Sequence, residues 1–381
     1  MFLPKKHSGS DNTIFSEMTA LAQKQEAVNL SQGFPDYEID DRLKKLLCEA
    51  AEKNFNQYAP MSGNPLLIEN LIEFNNKRTI PISVSKENIT ISPGATYGIY
   101  TALASVISFG DEVIVLEPNY DSYVPAIEMN GGKPIFVSLN DDFKVNFEAL
   151  KKAITEKTKA IIINSPHNPS GKIWKKEDFN QLSDLVENTE IIIISDEVYD
   201  ILTYDQNEFY SAFHHPKLRE RCFSIFSFGK MFHITGWKVG YVLASPELSQ
   251  AYRRVHQYLA FSVNALAQYA LAKYLEVFEP KENQKIMQQK RDFFLNEIQD
   301  LPFTLNEKAE AGYFQILSFK NISELSDKDF AVWLTEKAKV ATIPVSAFYH
   351  DQKSTGNVRF CFAKKEETIL KAVENLRRYL G

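Results

Sequence analysis

Between Asn88 and Ser245 the chain keeps returning to short apolar runs, with longer helix-like segments in the intervals, and this alternation limits the fold more than any other feature. The runs cover residues 89–91, 112–116, 134–139, 159–164, 190–195, 222–227 and 239–244. Several, such as the four isoleucines from Ile191 to Ile194, are continuously apolar instead of alternating. That is the pattern of strands covered on both faces by helices, so the expected class is α/β with a mostly parallel sheet. Turn signals fall between the runs, at Phe109-Gly110-Asp111, Gly131-Gly132 and Ser170-Gly171. After Phe278, a Glu-Pro-Lys-Glu stretch leads into a long helix through Gln288 and Arg291 and then a β-like segment at 312–317, which reads as a second, smaller unit.

The chain has 381 residues, 44% hydrophobic and 24% charged, enough apolar material for a large core. A formal net charge of −6 without a basic run argues against a nucleic-acid partner. No apolar run is long enough to span a bilayer, and residues 1–10 hold Lys5 and Lys6 with no leader-length apolar stretch behind them, so the expected location is the cytoplasm. Cys48, Cys222 and Cys361 are scattered and lack ligand spacing, so neither a disulfide nor a metal site is expected.

Five segments carry candidate chemistry. In Ser227-Phe228-Gly229-Lys230, a lysine follows an apolar strand and is surrounded by Phe228, Met231, Phe232 and Trp237. Such surroundings favour a neutral amine or a covalent imine, either of which makes Lys230 a nucleophile; the alternative is a surface lysine in an aromatic turn. Asp196 ends the strand of isoleucines, at the sheet edge where α/β proteins bind ligands, with Tyr199 three residues on; a helix cap explains it equally. The turn Asn164-Ser165-Pro166-His167-Asn168-Pro169 is stiffened by two X-Pro bonds, one of them a candidate for cis, and would hold Asn168 firmly; His167 is given no role. Ser92-Pro93-Gly94-Ala95-Thr96 opens a helix whose free N–H groups suit an anion. Arg359, alone between apolar residues in Asn357-Val358-Arg359-Phe360, suits a carboxylate, in a ligand or in a structural ion pair.

In this order the pieces resemble the class I/II aminotransferases of the fold-type I pyridoxal 5′-phosphate (PLP) family, from Ser31 to the C-terminus. The nearest branch is that of the methionine and kynurenine aminotransferases, through Ser31-Gln32-Gly33-Phe34-Pro35-Asp36, Gln57-Tyr58-Ala59-Pro60, Tyr120-Asp121-Ser122-Tyr123 and Val255-His256-Gln257-Tyr258. The resemblance implies a large cofactor-binding domain at 45–275 around a seven-stranded sheet, and a small domain of 1–44 with 276–381 that closes over the site. It also implies that Lys230 is the Schiff-base lysine and that Asp196 keeps the pyridine nitrogen protonated. Asn168 and Tyr199 would bond the phenolic oxygen, and Tyr120 would stack on the ring. Ala95, Thr96, Ser227 and Lys238 would form the phosphate cup, with Tyr58 reaching the phosphate of a partner subunit in a homodimer. Arg359 would grip the substrate carboxylate, with Asn168 and Gly33 beside it.

The arginine that aspartate-specific relatives use for a second carboxylate is not identifiable here. Phe34, Tyr37, Tyr120, Tyr123 and Phe261 are candidates to line a pocket for a methionine or aromatic side chain. The expected reaction is transfer of an amino group from such an amino acid to a 2-oxo acid. A carbon–sulfur β-lyase on the same scaffold is the nearest rival, because the same carbanion can expel a β-substituent. A PLP-binding regulator would need a DNA-binding module, for which the sequence leaves no room.

Overall fold

The computed structural model describes residues 5–8 and 12–380. The expectation for residues 1–10 therefore falls partly outside the described residues. Seven strands form one sheet in the order Ile89–Ser92, Gly240–Ala244, Cys222–Ser227, Ile192–Asp196, Thr158–Asn164, Glu112–Glu117, Lys133–Ser138. Neighbours run parallel except at Gly240–Ala244, which is antiparallel on both sides. Each expected strand is present within two residues of its expected limits, and the sheet is mostly parallel as expected.

The continuously apolar runs follow from a core on each face. In Thr158–Asn164, Ile161 and Ile163 join the larger core, whereas Ala160 and Ile162 join a smaller one on the opposite face. Helix Ala95–Val106 brings Ile99, Ala102 and Leu103 to the smaller core, and Lys176–Val186 brings Phe179, Leu182 and Val186 to the larger. Each buried side chain of this size contributes roughly 1.5–3 kcal/mol, so a polar residue at either alternating position would be strongly selected against.

After the long helix Pro280–Ile298, a three-stranded antiparallel sheet is built from Ile343–Pro344, Asn357–Cys361 and Phe314–Ser318, in that order. A two-residue parallel pairing of Val28–Asn29 with Val340–Ala341 ties the N-terminal stretch to this part of the chain. Among the described residues, no helix is long and apolar enough to cross a membrane, and the three cysteines are unpaired.

Sheet polarity positions the chemistry. Parallel strands deliver their C-terminal residues Asn164, Asp196 and Ser227 to one rim. The reversed strand Gly240–Ala244 delivers its N-terminal end there, paired through Gly240 with Ser227 on one side and Ser92 on the other, and this brings Lys238 along. The X-Pro bonds Ser165-Pro166 and Asn168-Pro169 are both cis, as is Glu117-Pro118.

Candidate active site

At that rim lies a cavity of about 1140 Å³. Strand Cys222–Ser227 runs into the single helical turn Phe228–Met231, where Phe228, Gly229 and Met231 are buried and Lys230 opens on the cavity. Lys230 Nζ donates to the Gly33 carbonyl at 2.9 Å, and the rings of Tyr199 and Tyr313 lie 5.5 and 5.4 Å from it. Burial pulls this amine down to about 8, so a usable neutral fraction exists near neutral pH.

Asp196, 5% exposed, ends its strand beneath the same cavity. Its Oδ2 accepts from the Tyr123 hydroxyl at 2.6 Å, whereas among the described residues Oδ1 has only the distant Val198 N–H at 3.4 Å. Burial pushes the carboxyl up to about 6 despite the Tyr123 bond. The loosely satisfied Oδ1 is the atom a cationic proton donor in the cavity would engage.

Arg359, 1% exposed, sits centrally in Asn357–Cys361 with its guanidinium 3.7 Å from the centre of the Phe314 ring. It donates to Asn168 Oδ1 at 2.8 Å and to the Ser31 carbonyl at 2.9 Å, both neutral, and Nε has no partner among the described residues. Burial lowers this group to about 10. A buried cation satisfied only by neutral oxygens is incomplete without an anion.

Another part of the cavity lining offers donors suited to an anion. Helix Ala95–Val106 starts from Gly94 at φ 84°, a conformation glycine adopts freely, and no side chain caps its first N–H groups. Lys238, itself left-handed at φ 54°, approaches so closely that a Cβ on Gly94 would stand 3.6 Å from its Nζ. Thr96, Ser227 and Lys238 all line the cavity here. Asn168 is fixed by its own N–H, which donates to Asn164 Oδ1 at 2.7 Å. Burial raises the Tyr199 phenol well above its usual range and Tyr120 to about 12, so both enter the cavity as neutral hydroxyls.

The cavity thus gathers Gly33, Ala95, Thr96, Tyr120, Asn168, Asp196, Tyr199, Ser227, Lys230, Lys238 and Arg359. Tyr58 is outside it, 84% exposed and edge-on to Phe261 at 5.6 Å. Among the aromatic pocket candidates, Phe34 and Tyr120 line the cavity. The other three face elsewhere: Tyr37 bonds the Met287 sulfur at 3.2 Å, Tyr123 is buried behind Asp196, and Phe261 faces outward with Tyr58. Aromatic character alone did not distinguish wall from core. His167 is buried, with its ring nitrogens on Ser170 Oγ and the Pro118 carbonyl at 2.7 and 2.9 Å, a structural tie within the turn.

The family model for aminotransferase class I and II matches residues 25–376. The chain belongs to this family. Methionine aminotransferase of Escherichia coli (strain K12) is 40% identical across 96% of this chain and 95% of its own length. Kynurenine–oxoglutarate transaminase of Dictyostelium discoideum is 35% identical across 98% and 96%. The crystal structure of YbdL from Escherichia coli, identified with a methionine aminotransferase function, superposes with a TM-score of 0.95 at 39% identity, covering 99% of this chain and 100% of that one. The protein is therefore an enzyme of amino-acid transamination, with the fold-type I architecture of its neighbours.

In this aminotransferase, sequence reasoning gave no role to Ser31, Phe314 or Tyr313. The Ser31 carbonyl and the Phe314 ring hold Arg359, and the Tyr313 hydroxyl donates to the Lys230 carbonyl at 2.9 Å. Phe314 lay inside an expected β segment, but nothing in its neighbours marks it as the floor beneath an arginine.

Proposed function

We propose that the cavity binds PLP and that the enzyme moves the amino group of methionine or an aromatic amino acid to a 2-oxo acid. One observation carries the reading: an amine, a carboxylate and a guanidinium open on a single cavity, each hydrogen-bonded to neutral groups alone. The residues fit the group. The uncapped helix start with Ala95 and Thr96, together with Ser227 and Lys238, would hold the phosphate. Asp196 Oδ1 would face the ring nitrogen, Asn168 and Tyr199 the phenolic oxygen, and Tyr120 the ring face. When bound, the cofactor supplies an electron sink for the pair left behind as the substrate Cα loses its proton.

The chain's own groups do the rest. Lys230 would hold the cofactor through its neutral amine, and the same amine would take the proton from the substrate Cα and return it as general acid. Arg359 supplies parallel N–H donors to the substrate carboxylate, with Asn168 holding the guanidinium and the Gly33 segment covering it. Gly33, Phe34 and the Phe314 ring limit water at the reacting carbon. Arg359 is the one arginine lining the cavity among the described residues, and Phe15, Phe34, Tyr120 and Phe314 share its walls, which supports an apolar donor over a dicarboxylate. The names of the relatives point the same way.

We assign the cofactor domain to 45–275 and the closing domain to 1–44 with 276–381. Exposed Tyr58 and Phe261 support a homodimer in which Tyr58 reaches the site of the second copy, and three unpaired cysteines support the cytoplasm. Methionine or phenylalanine incubated with enzyme, PLP and a panel of 2-oxo acids should give stoichiometric amino transfer, abolished together with the imine absorbance in Lys230→Ala. Pyruvate and ammonia from a cysteine conjugate without transfer would establish a carbon–sulfur lyase instead.

A further inference from the structure

Tyr123 lies outside the cavity that Asp196 and Tyr120 line, yet it touches both. Its hydroxyl donates to Asp196 Oδ2 at 2.6 Å, and its ring stands edge-on to Tyr120 with centroids 5.9 Å apart. It opens helix Tyr123–Met129 and is 2% exposed, packed in the smaller core. The main chain of Asp196 is pinned independently, its carbonyl accepting from Ser165 N–H at 3.0 Å and Asn164 Nδ2 at 2.8 Å. The rotation of the carboxylate is then the remaining freedom, and among the described residues Tyr123 is its only close donor.

We propose that Tyr123 is a positioning residue of the reaction: its hydroxyl fixes the plane of the Asp196 carboxylate so that Oδ1 meets the ring nitrogen of the cofactor, while its ring braces Tyr120. This rests on the cofactor reading above. Engaging Oδ2 breaks the equivalence of the two oxygens, and a buried carboxylate without that bond would rotate toward whatever weak donor it found. Tyr123→Phe keeps the ring, the volume and the brace and removes only the hydroxyl.

The test uses a cofactor analogue with a methyl group in place of the aldehyde, which cannot bond Lys230, titrated calorimetrically into cofactor-free protein. Tyr123→Phe should weaken the analogue about tenfold, as expected for losing a hydrogen bond to a buried charge, and leave inorganic phosphate within about twofold. In an Asp196→Ala background the same substitution should change analogue affinity by less than about twofold, because no carboxylate is left to orient. In the loaded enzyme, kcat should drop about tenfold with KM for the amino acid unchanged, since Arg359 is untouched. Equal analogue affinity in Tyr123→Phe and the unaltered protein, or the same loss in both backgrounds, overturns the proposal. An unaltered protein that binds phosphate but not the analogue refutes the cofactor reading itself.

Discussion

Adding one methyl group at Gly33 should damage substrate binding by pushing the Phe314 ring, part of the cavity wall, against Arg359. A Cβ there would stand 2.5 Å from Phe314 Cζ, about 0.9 Å inside the 3.4 Å at which ordinary contact begins. Phe314 is 3% exposed and cannot swing to solvent, so the ring must slide beneath the Arg359 guanidinium 3.7 Å away. Overpacking of this kind costs about 1–3 kcal/mol. The displaced arginine also bonds the Ser31 carbonyl, two residues before the new methyl group, so the disturbance reaches it from two directions. If the cost falls on the carboxylate grip, kcat/KM for the amino donor drops about 5- to 150-fold, mostly through KM. Steady-state kinetics of Gly33→Ala measures this, with Gly236→Ala as the control, because a Cβ at Gly236 meets nothing within 4 Å. A Gly33→Ala enzyme with KM within twofold of the parent would refute the argument that Phe314 transmits the strain.

Three further outcomes are expected. Burial holds Glu197 at about 7 against an ordinary 4.5, so the folded state keeps a proton that the unfolded chain gives up. That contribution is complete below 4.5 and is lost as pH rises to 7, by about 3 kcal/mol. Glu197→Gln should flatten this decline in denaturant melts of the cofactor-free protein, and an unchanged slope from pH 4.5 to 8 would count against it. Because the Lys230 amine is held near 8, stopped-flow capture of PLP should accelerate with pH and level off above about 8; a flat profile from pH 6 to 8 would contradict it. Lys238→Met should weaken inorganic phosphate binding to the cofactor-free protein about tenfold by calorimetry, and undiminished binding would remove Lys238 from the anion cradle.

Much of the central sheet was legible because its strands are buried on both faces, and uninterrupted apolar runs such as Ile191 to Ile194 have few other homes. The rim residues Asp196 and Ser227 could be read for a related reason: one directly follows such a run and the other ends one, where a polar residue is otherwise costly, while Asn168 stands in the Pro-rich turn after another. The bond between Tyr123 and Asp196 spans 73 positions, and that between Ser31 and Arg359 spans 328, so no local pattern announces either. Tyr37, Tyr123 and Phe261 share aromatic chemistry with Tyr120, and only tertiary packing separates those four into cavity wall, core and surface. The two-residue strands Val28–Asn29 and Val340–Ala341 are too short for any periodicity and arise from their pairing.

The reversed strand Gly240–Ala244 has a consequence for how this chain tolerates change. Because it runs backwards, it too turns toward the cavity the end that carries Lys238, and among the described residues the opposite ends of the seven strands line none of the cavity, so the loops there serve as connections. The turn at Phe109-Gly110 is the clearest case: Phe109 is 96% exposed, and nothing lies within 4 Å of where a Cβ on Gly110 would stand, although the left-handed φ of 89° there keeps that position for glycine. Tags, fluorophores or whole inserted modules grafted at this turn would leave catalysis alone, so the molecule offers the protein engineer a handle on the side away from its chemistry.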